Sequence, residues 1–559
     1  MKKDRENVLL FLEKISSSWD DKTALGIKSY IGWREYTYKG TSILSMRLGA
    51  YLIKQGLQKG DRISIISESK PEWAAAFFGS LLAGATIVPI DIKLTEYEML
   101  SILSDCTPKF MFVSGKYINK AVQLKEKLPG LKEIILIDEL FLDNGFTSIY
   151  NLPDAKGVKW RHRGYNTTAM IIYTSGTTGK PKGVEMSFKN VMAQVKAIGK
   201  CFMLGPEDRL LSILPMNHLF ELSVGFLTFL SKGVSIYYPK SLNPKDVFPI
   251  LQEKKITFMV LVPAFLKLLK STIEAEINQY GKFEKFKFNL LYKLASMVPS
   301  YKFRKFLFPK IHAKFGGQFK GCISGGAPLD MEVARFIENL GIKIYEGYGL
   351  SEAAPVVSVN TDKASRLGSV GKALPGVKVK IDEETGELLV SGDNVMKGYH
   401  HQPELTAETI DPDGWLHTGD IAEIDKDGFI FITGRIKNMI VLNGGKKVFP
   451  EEVEAVLEQS PMFSEVCVLG VKRVGGQKNG TEDIAAVVVP TEQVINAAPD
   501  DETLEKQVRA EVKNLSQRLS IFKRPTYTYV FKEPLERTAT SKIKRKVLAE
   551  KIAQMKSAK

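Results

Sequence analysis

The sequence predicts an α/β fold: a large N-terminal domain of mixed, largely parallel sheets with helices, a small antiparallel barrel-like subdomain, and a small α+β C-terminal domain. Three observations support this. The chain has 559 residues, more than one hydrophobic core usually organises. Between about residues 30 and 430, short β-branched runs alternate with longer amphipathic stretches, which is typical of parallel sheets covered by helices. From about residue 376 the runs become short and alternating, and a further compact unit begins at residue 435.

The predicted boundaries follow these changes. Residues 1–434 are expected to form the N-terminal domain, with the barrel-like subdomain at about 376–434, and residues 435–559 the C-terminal domain. Within the first domain, residues 73–90 are apolar and long enough to suggest a membrane span. They are rich in Ala and Gly and are interrupted by Pro89, so a buried helix followed by a buried parallel strand is favoured.

The composition excludes several classes of protein. With 44% apolar and 25% charged residues, the chain has the composition of a folded globular protein rather than a disordered one. Its four cysteines lie far apart without a CxxC spacing, which argues against a disulfide framework and a structural zinc site. The N-terminal residues do not resemble a cleaved secretory signal. A cytoplasmic protein is therefore expected.

The net charge of +15 indicates acidic partners, such as a nucleotide, an anionic lipid or an acidic carrier protein. Residues 280–320 interleave lysines and arginines with aromatic side chains. This pattern suits peripheral contact with the anionic inner face of a membrane. A solvated basic face over a buried aromatic one explains it equally well. A nucleic-acid surface is disfavoured because no recognised binding motif accompanies the charges.

A loop dense in hydroxyls, glycines and lysines follows the apolar run that ends at Tyr173. Glycines let backbone N–H groups approach an anion, hydroxyls donate to it, and lysines add positive charge. It is not a Walker A loop, because Thr174 and Pro181 stand where that pattern requires Gly and Ser or Thr. An ordinary polar turn is the weaker alternative. The predicted phosphate-binding residues are Thr174, Ser175, Gly176, Thr177, Thr178, Gly179, Lys180 and Lys182.

Two later strand ends carry candidate nucleotide-binding residues. Small residues after the first leave space for a flat group against the backbone, and a carboxylate after the second suits Mg²⁺ between phosphates. A tight turn explains the first equally well, and a helix-capping Glu352 is, taken alone, the simpler interpretation of the second. The candidates are Gly325, Gly326, Ala327 and Pro328 in the first segment, and Tyr348, Gly349, Ser351 and Glu352 in the second.

Asp420 ends the string Asp-Gly-Trp-Leu-His-Thr-Gly-Asp, and Arg435 opens the last domain. A carboxylate beside a nucleotide accepts hydrogen bonds from two ribose hydroxyls. Arg435 is a candidate for the same ribose or for a phosphate. By itself, either residue is also explained by a surface turn.

Taken in order, these motifs resemble the adenylate-forming superfamily, and most closely its long-chain fatty acyl-CoA synthetase branch. The resemblance covers residues 30–550. It implies that residues 174–182 hold the β- and γ-phosphates, residues 325–328 and Tyr348 border the adenine, and Asp420 and Arg435 hold the ribose. It also implies that Glu352 binds Mg²⁺.

The resemblance assigns further residues that the motifs alone do not. His218 matches a helix-starting histidine beside the acyl tunnel, and Lys437 matches the hinge of a mobile C-terminal domain. Gly444 and Gly445 match the loop that faces the pantetheine of coenzyme A. Lys542 matches the lysine that assists adenylation, although the residue before it is Ser rather than the more common Gly. Long-chain members often carry a non-glycine residue there.

The implied reaction is ATP-dependent activation of a long- or medium-chain fatty acid through an acyl-adenylate. The thiol of coenzyme A then takes the acyl group, and AMP and pyrophosphate are released. Transfer to acyl carrier protein is the nearest alternative. A membrane- or nucleic-acid-binding protein with a vestigial nucleotide site is a rival from another class. A luciferase-like oxidase is compatible with the fold. Glu185, just after the phosphate loop, has no role in this scheme.

Overall fold

The computed structural model describes residues 8–29, 32–138, 145–161, 163–174, 181–442, 446–472, 482–537 and 543–557. Its internal contacts group the chain into two units. The first unit comprises Met1–Val379, Val390–Leu416 and Lys426–Ile430, and the second Lys380–Leu389, His417–Asp425 and Phe431–Lys559.

The strands within the described residues alternate with helices along most of the chain. In order, they are β1 (Thr23–Ser29), β2 (Gly32–Thr37), β3 (Arg62–Ile66), β4 (Thr86–Pro89), β5 (Phe110–Val113), β6 (Glu133–Leu136), β7 (Thr147–Ser148), β8 (Thr168–Thr174), β9 (Lys182–Ser187), β10 (Arg209–Ser212), β11 (Ser235–Tyr238), β12 (Phe258–Leu261), β13 (Gly321–Ser324), β14 (Lys343–Gly349), β15 (Val356–Val359), β16 (Lys372–Ala373), β17 (Val377–Ile381), β18 (Glu387–Gly392), β19 (Gly398–Tyr399), β20 (Leu416–Ile424), β21 (Ile430–Arg435), β22 (Ile440–Val441), β23 (Lys447–Val448), β24 (Phe463–Lys472), β25 (Glu482–Pro490) and β26 (Tyr527–Val530).

The α-helices are α1 (Val8–Trp19), α2 (Tyr38–Lys54), α3 (Pro71–Leu82), α4 (Glu96–Cys106), α5 (Ile118–Glu126), α6 (Phe188–Cys201), α7 (Pro244–Glu253), α8 (Pro263–Asn278), α9 (Lys282–Met297), α10 (Tyr301–Leu307), α11 (Pro309–Lys314), α12 (Met331–Asn339), α13 (Pro403–Thr409), α14 (Pro450–Leu457), α15 (Glu492–Ala497), α16 (Asp501–Ser516) and α17 (Arg545–Ser557). A π-helix spans Phe220–Thr228. Local sequence sets several starts: proline opens α3 and α8, and Thr95 and Ser187 form capping boxes at α4 and α6.

Two large sheets build the first unit. One has the order β16-β15-β14-β13-β12-β10-β11-β1-β2, and the other β19-β9-β8-β4-β3-β5-β6-β7. Most neighbouring strands are parallel, whereas β8 and β9 form an antiparallel pair. Strands that follow a crossover helix end at the same sheet edge, which is where open α/β sheets place ligands. The predicted largely parallel architecture is confirmed.

Helix α3 and strand β4 lie in the interior of the first unit. Trp73, Phe77 and Phe78 are at most 1% exposed, and α3 packs against α2. The prediction of a buried helix and strand over residues 73–90 is therefore confirmed. Within the described ranges, no helix has the length and apolar character needed to cross a bilayer.

The remaining predicted parts are also present. Strands β17, β18, β20 and β21 form a four-stranded sheet in that order, which matches the predicted barrel-like subdomain. In the second unit, β24, β25 and β26 form a sheet, and α14 and α16 pack around a core that includes Val468 and Val508. This α+β arrangement confirms the predicted fold class. The boundary at residue 434 and the mobility of the C-terminal domain stay predictions.

Candidate active site

Strands β8 and β9 frame the predicted phosphate loop. Thr174, the last residue of β8, pairs with Lys182, the first residue of β9. The Lys182 ammonium lies 5.4 Å from the centre of the Tyr399 ring. The structure thus places both ends of the loop on one antiparallel pair. Ser175, Gly176, Thr177, Thr178, Gly179 and Lys180 lie outside the described residues.

The segment after β13 begins with a glycine that lies close to other backbone. A Cβ on Gly325 would lie 3.2 Å from the carbonyl oxygen of Gly347 and 3.2 Å from the Phe220 ring. Gly326 has a φ of 85°, the left-handed region that glycine adopts without strain. Gly326, Ala327 and Pro328 are exposed. The end of β13 therefore presents open backbone surface beside the next strand.

The end of β14 carries the second candidate segment. Tyr348 and Gly349 end the strand, and Ser351 and Glu352 belong to the 3₁₀ turn Ser351–Ala353. A Cβ on Gly349 would lie 1.9 Å from the carbonyl oxygen of Pro355, so a larger residue requires the backbone to move. The structure brings this segment and the β13 segment together, because β13 and β14 are parallel neighbours.

A tyrosine that the sequence analysis missed holds Glu352. The Tyr399 hydroxyl donates to Oε1 of Glu352 at 2.8 Å, and burial, followed by the Glu352 charge, raises the pKa of Tyr399. The phenol therefore stays protonated and donates. Among the described residues, Glu352 makes no ion pair with a basic side chain, so a half-buried carboxylate oxygen is available to a hard cation such as Mg²⁺. This donor set fits the predicted ion.

His218 begins a helical turn, as the resemblance implies. Its carbonyl accepts from the Leu222 N–H at 3.0 Å, just before the π-helix Phe220–Thr228. Its Nε2 lies 3.5 Å from Oδ2 of Asp91. Burial lowers the pKa of His218, and Asp91 opposes that effect. His218 is therefore favoured as a neutral imidazole at the start of this helix.

An apolar cavity of about 60 Å³ lies beside the two glycine segments. One side is formed by Gly325, Gly326, Tyr348 and Gly349, and the other by apolar side chains that include Phe202. A space of this size exceeds what a single water molecule requires. Its lining suits an apolar group next to the predicted nucleotide-binding backbone.

In the second unit, Asp420 and Arg435 form a bidentate pair across β20 and β21. Nε of Arg435 donates to Oδ1 at 2.6 Å, and Nη2 donates to Oδ2 at 3.4 Å. Asp420 is 2% exposed. Nearby, the Gly419 N–H donates to Oε1 of Glu387 at 2.6 Å, a contact that the sequence analysis missed. The two predicted ribose-binding residues are thus adjacent.

The described residues on either side of Lys542 make defined contacts. Lys542 itself lies outside the described residues, as do Gly444 and Gly445. Arg537 and Ile543 pair as an isolated antiparallel bridge. At the start of α17, Arg545 donates to Oε1 and Oε2 of Glu454 at 2.6 and 2.8 Å.

Arg545 is a supporting residue that sequence reasoning missed. Burial alone would lower its pKa, but the Glu454 carboxylate raises it above its ordinary value. It also donates to the carbonyl of Val468 at 2.5 Å. Lys437, the predicted hinge residue, is exposed in the 3₁₀ turn Ile436–Asn438.

Comparison with known proteins defines the class. Residues 12–400 match the AMP-binding enzyme family, and residues 437–555 match the AMP-binding enzyme C-terminal domain. The chain therefore belongs to the AMP-binding enzymes of the adenylate-forming superfamily. The solved structure of ATP-bound MatB from Rhodopseudomonas palustris is similar, with a TM-score of 0.78 and 25% identity over 98% of this chain and 99% of that one.

Sequence relatives place the chain within the superfamily. A long-chain-fatty-acid–CoA ligase of Mycobacterium bovis is 31% identical over 548 residues, which cover 90% of this chain and 88% of that protein. Fatty acyl-CoA synthetase A of Dictyostelium discoideum is 30% identical over 499 residues, which cover 80% of this chain and 73% of that protein. The chain belongs to the fatty acyl-CoA synthetase branch, as the motif order predicted.

Proposed function

We propose that this chain uses ATP to activate a long- or medium-chain fatty acid as an acyl-adenylate and then transfers the acyl group to the thiol of coenzyme A. The products are acyl-CoA, AMP and pyrophosphate. The observation that carries the proposal is the apolar cavity that borders Gly325, Gly326, Tyr348 and Gly349. The cavity has room for a short apolar part of an alkyl chain, and a chain that begins there would have its carboxylate beside the predicted nucleotide-binding backbone.

The chemistry follows from the charges that these residues supply. A carboxylate is a poor acyl donor, and adenylation gives it AMP as a leaving group. Negative charge gathers around the α-phosphate as the carboxylate attacks, so preorganised donors and cations lower the barrier. Lys542 is proposed to supply such a cation, while Thr174 and Lys182 are proposed to hold the β- and γ-phosphates. Mg²⁺, when bound by Glu352, neutralises phosphate charge.

His218 is proposed to lie beside the acyl tunnel, because it begins the helical segment whose Phe220 and Val224 line the cavity. The imidazole is a polar group at the start of that segment, and its Nε2 lies 3.5 Å from Oδ2 of Asp91. Because a neutral imidazole carries no positive charge, it does not hold the carboxylate of the fatty acid away from the phosphate.

Coenzyme A is the proposed acceptor because the two relatives are named as a CoA ligase and an acyl-CoA synthetase. Gly444 and Gly445 are proposed to face its pantetheine arm, and Lys437 to act as the hinge of the C-terminal domain. A Gly445→Trp variant should still form acyl-adenylate but lose thioester formation. Normal thioester yield with that variant would refute the channel assignment.

The decisive experiment measures AMP and pyrophosphate release from ATP with a series of acids from butanoate to icosanoate. Each acid is tested with coenzyme A, with acyl carrier protein, and without acceptor. Turnover that is greatest with long or medium chains and requires coenzyme A supports the proposal. Turnover that requires acyl carrier protein supports the alternative acceptor, which the +15 charge also suits. No turnover with any acid refutes both.

We also propose that helix α9 holds the enzyme against an anionic membrane. Its inner face packs on the core through Phe288, Leu291, Tyr292 and Ala295. Its outer face carries an apolar stripe at helical spacing whose side chains are exposed by 42 to 78%: Phe283, Phe286, Leu290, Leu294 and Met297. This arrangement is typical of a helix that lies in a membrane interface.

Lysines lie on both sides of that stripe. On a helical projection, Lys282 and Lys293 border one edge and Lys287 the other, and all three are exposed. When apolar side chains enter the bilayer, lysines beside them attract the anionic headgroups of the lipids. The proposal predicts that the protein sediments with phosphatidylglycerol vesicles but not with phosphatidylcholine vesicles.

A Phe283→Ser/Phe286→Ser variant should lose this sedimentation. Met203→Ser, which changes an exposed apolar side chain outside α9, should retain it. Equal sedimentation of the two variants would contradict the proposal. Concentration-dependent dimerisation that Phe283→Ser/Phe286→Ser abolishes would assign the stripe to a second copy of the chain instead.

A further inference from the structure

A cluster of metal-ligating side chains lies beside the predicted phosphate loop, and the adenylation scheme uses none of it. Asp105 belongs to the last turn of α4, and His400 and His401 follow β19. One ligand atom from each of these three residues lies within 4.8 Å of the others. We propose that Asp105, His400 and His401 form a binding site for a divalent transition-metal ion such as Zn²⁺.

Glu185 supplies the outer support that such a site requires. Its Oε1 lies 2.7 Å from Nδ1 of His400, and its Oε2 accepts from the Thr168 hydroxyl at 2.7 Å. A carboxylate oxygen that faces a ring nitrogen at this distance accepts the hydrogen of that nitrogen. An ionised carboxylate only accepts, so Nδ1 carries the proton. His400 Nε2 therefore keeps the lone pair that binds a metal.

A carboxylate that orients a histidine in this way is the usual outer partner of a metal-bound imidazole in proteins. This pairing gives Glu185 a role that the adenylation reaction does not. It also explains why a carboxylate stands on β9 next to the phosphate loop, where added negative charge opposes phosphate binding.

Asp105 is oriented by a second partner. Its Oδ2 accepts from the Tyr173 hydroxyl, and its Oδ1 lies 3.4 Å from Nδ1 of His401. One carboxylate oxygen of Asp105 is thus fixed by Tyr173 while the other faces the histidine pair. The His401 side chain is 66% exposed, which gives an ion direct access from solvent.

The donor set selects the kind of ion. Two imidazole nitrogens and one carboxylate oxygen suit Zn²⁺ and Co²⁺, whereas Mg²⁺ and Ca²⁺ prefer oxygen ligands alone. Three protein ligands leave at least one coordination position for water. The site therefore differs in chemistry from the Mg²⁺ that Glu352 is proposed to bind.

The cluster is packed directly onto the strands that frame the phosphate loop. The backbone N–H of His400 donates to the carbonyl of Gly183 at 2.7 Å, and Gly183 pairs with Tyr173. A Cβ on Gly183 would lie 3.1 Å from Cβ of His400 and 2.8 Å from Cγ2 of Ile171. This close contact requires glycine on β9, and it joins the histidines to the base of the loop.

The test uses the full-length protein after removal of metal with a chelator. Isothermal titration with ZnCl₂ should show one saturable site per chain. His401→Ala and Asp105→Asn should each weaken it at least tenfold, and Glu185→Gln by about tenfold. Because the His401 side chain is largely exposed, thermal unfolding of His401→Ala should match that of the wild type.

His417→Asn is the matched control. His417 Nδ1 lies 2.9 Å from Oε2 of Glu387, so it is a histidine–carboxylate pair outside the cluster. This variant should bind Zn²⁺ as the wild type does. Unchanged affinity in both His401→Ala and Asp105→Asn, or no saturable uptake by the wild type, would overturn the proposal.

Co²⁺ gives an independent readout of the ligands. The Co²⁺-loaded protein should show ligand-field absorption without a thiolate-to-cobalt charge-transfer band, because the proposed ligands are nitrogen and oxygen. A thiolate band would place the ion on a cysteine and would also overturn the proposal.

Discussion

Replacing Glu221 with glutamine should stabilise the protein at alkaline pH but not at acidic pH. Glu221 lies in the π-helix of the first unit and is 0% exposed. The Ser212 hydroxyl donates to its Oε1 at 2.5 Å, whereas Oε2 has no hydrogen-bond partner within the described structure. Burial raises the pKa of Glu221 to about 8, an effect that Ser212 opposes. The side chain is therefore favoured in its neutral form at neutral pH.

The sign of the pH dependence follows from proton linkage. Between pH values of about 4.5 and 8, the folded protein retains a proton at Glu221 that the unfolded chain has released. The stability contributed by this proton is fully present below a pH of about 4.5, and it is lost as the pH rises through the folded-state pKa of about 8. At 1.36 kcal/mol per pH unit, the loss has an upper bound of about 5 kcal/mol.

Glutamine is neutral throughout this range, so it avoids the cost of ionisation at the buried site. A unit of about 400 residues has an unfolding entropy near 0.8 kcal/mol per kelvin. A loss of about 5 kcal/mol therefore corresponds to a decrease in Tm of about 6 °C at most. The assay is thermal unfolding of the wild type and Glu221→Gln at pH values of about 5, 7 and 9.

The difference in Tm between Glu221→Gln and the wild type should increase with pH. Glu404→Gln, at an exposed position on α13, should show a nearly constant difference. If the Tm difference for Glu221→Gln were independent of pH, Glu221 would not titrate as its burial requires, and the reasoning would be refuted.

Three further predictions concern the reaction. Lys542→Ala should lose adenylate formation but retain thioester formation from preformed acyl-adenylate; equal loss of both would contradict its proposed role. Tyr399→Phe removes the hydrogen bond to Glu352, worth about 1.5 kcal/mol, so kcat/KM for MgATP should fall about tenfold. Arg545→Ala leaves Glu454 without its main cation, so the second unit should lose about 3 kcal/mol of stability, measured by denaturant unfolding, and adenylation should fall with it. Unchanged stability would show that Arg545 does not hold this segment.

Much of the fold could be predicted because its signals are local. The buried run at residues 73–90 has the length and composition of a helix and a strand, and the structure has α3 and β4 there. Such features depend on neighbouring residues and on turn chemistry, so the sequence carries them directly. The close backbone contacts of Gly325 and Gly349 were not predicted, because the sequence indicated only space for a flat group after β13.

The supporting contacts of the site could not be predicted in the same way. Tyr399 meets Glu352 from 47 positions away, and Arg545 meets Glu454 from 91. The sequence offered no signal for these pairs, since a lone tyrosine or arginine fits many environments equally well. The burial of Glu221 was equally hidden, because it depends on what packs around the π-helix.

The amino-acid sequence by itself determined the fold class and the order of the nucleotide-binding motifs, because periodicity, turn residues and loop composition act over a few residues. Only the tertiary structure decided which distant side chains meet. Strand β19 pairs with β9, and this pairing alone places His400 against Glu185, 215 positions earlier in the chain. Sheet order is a property of the whole packed chain, so the chemistry that depends on it is set only when the strands assemble.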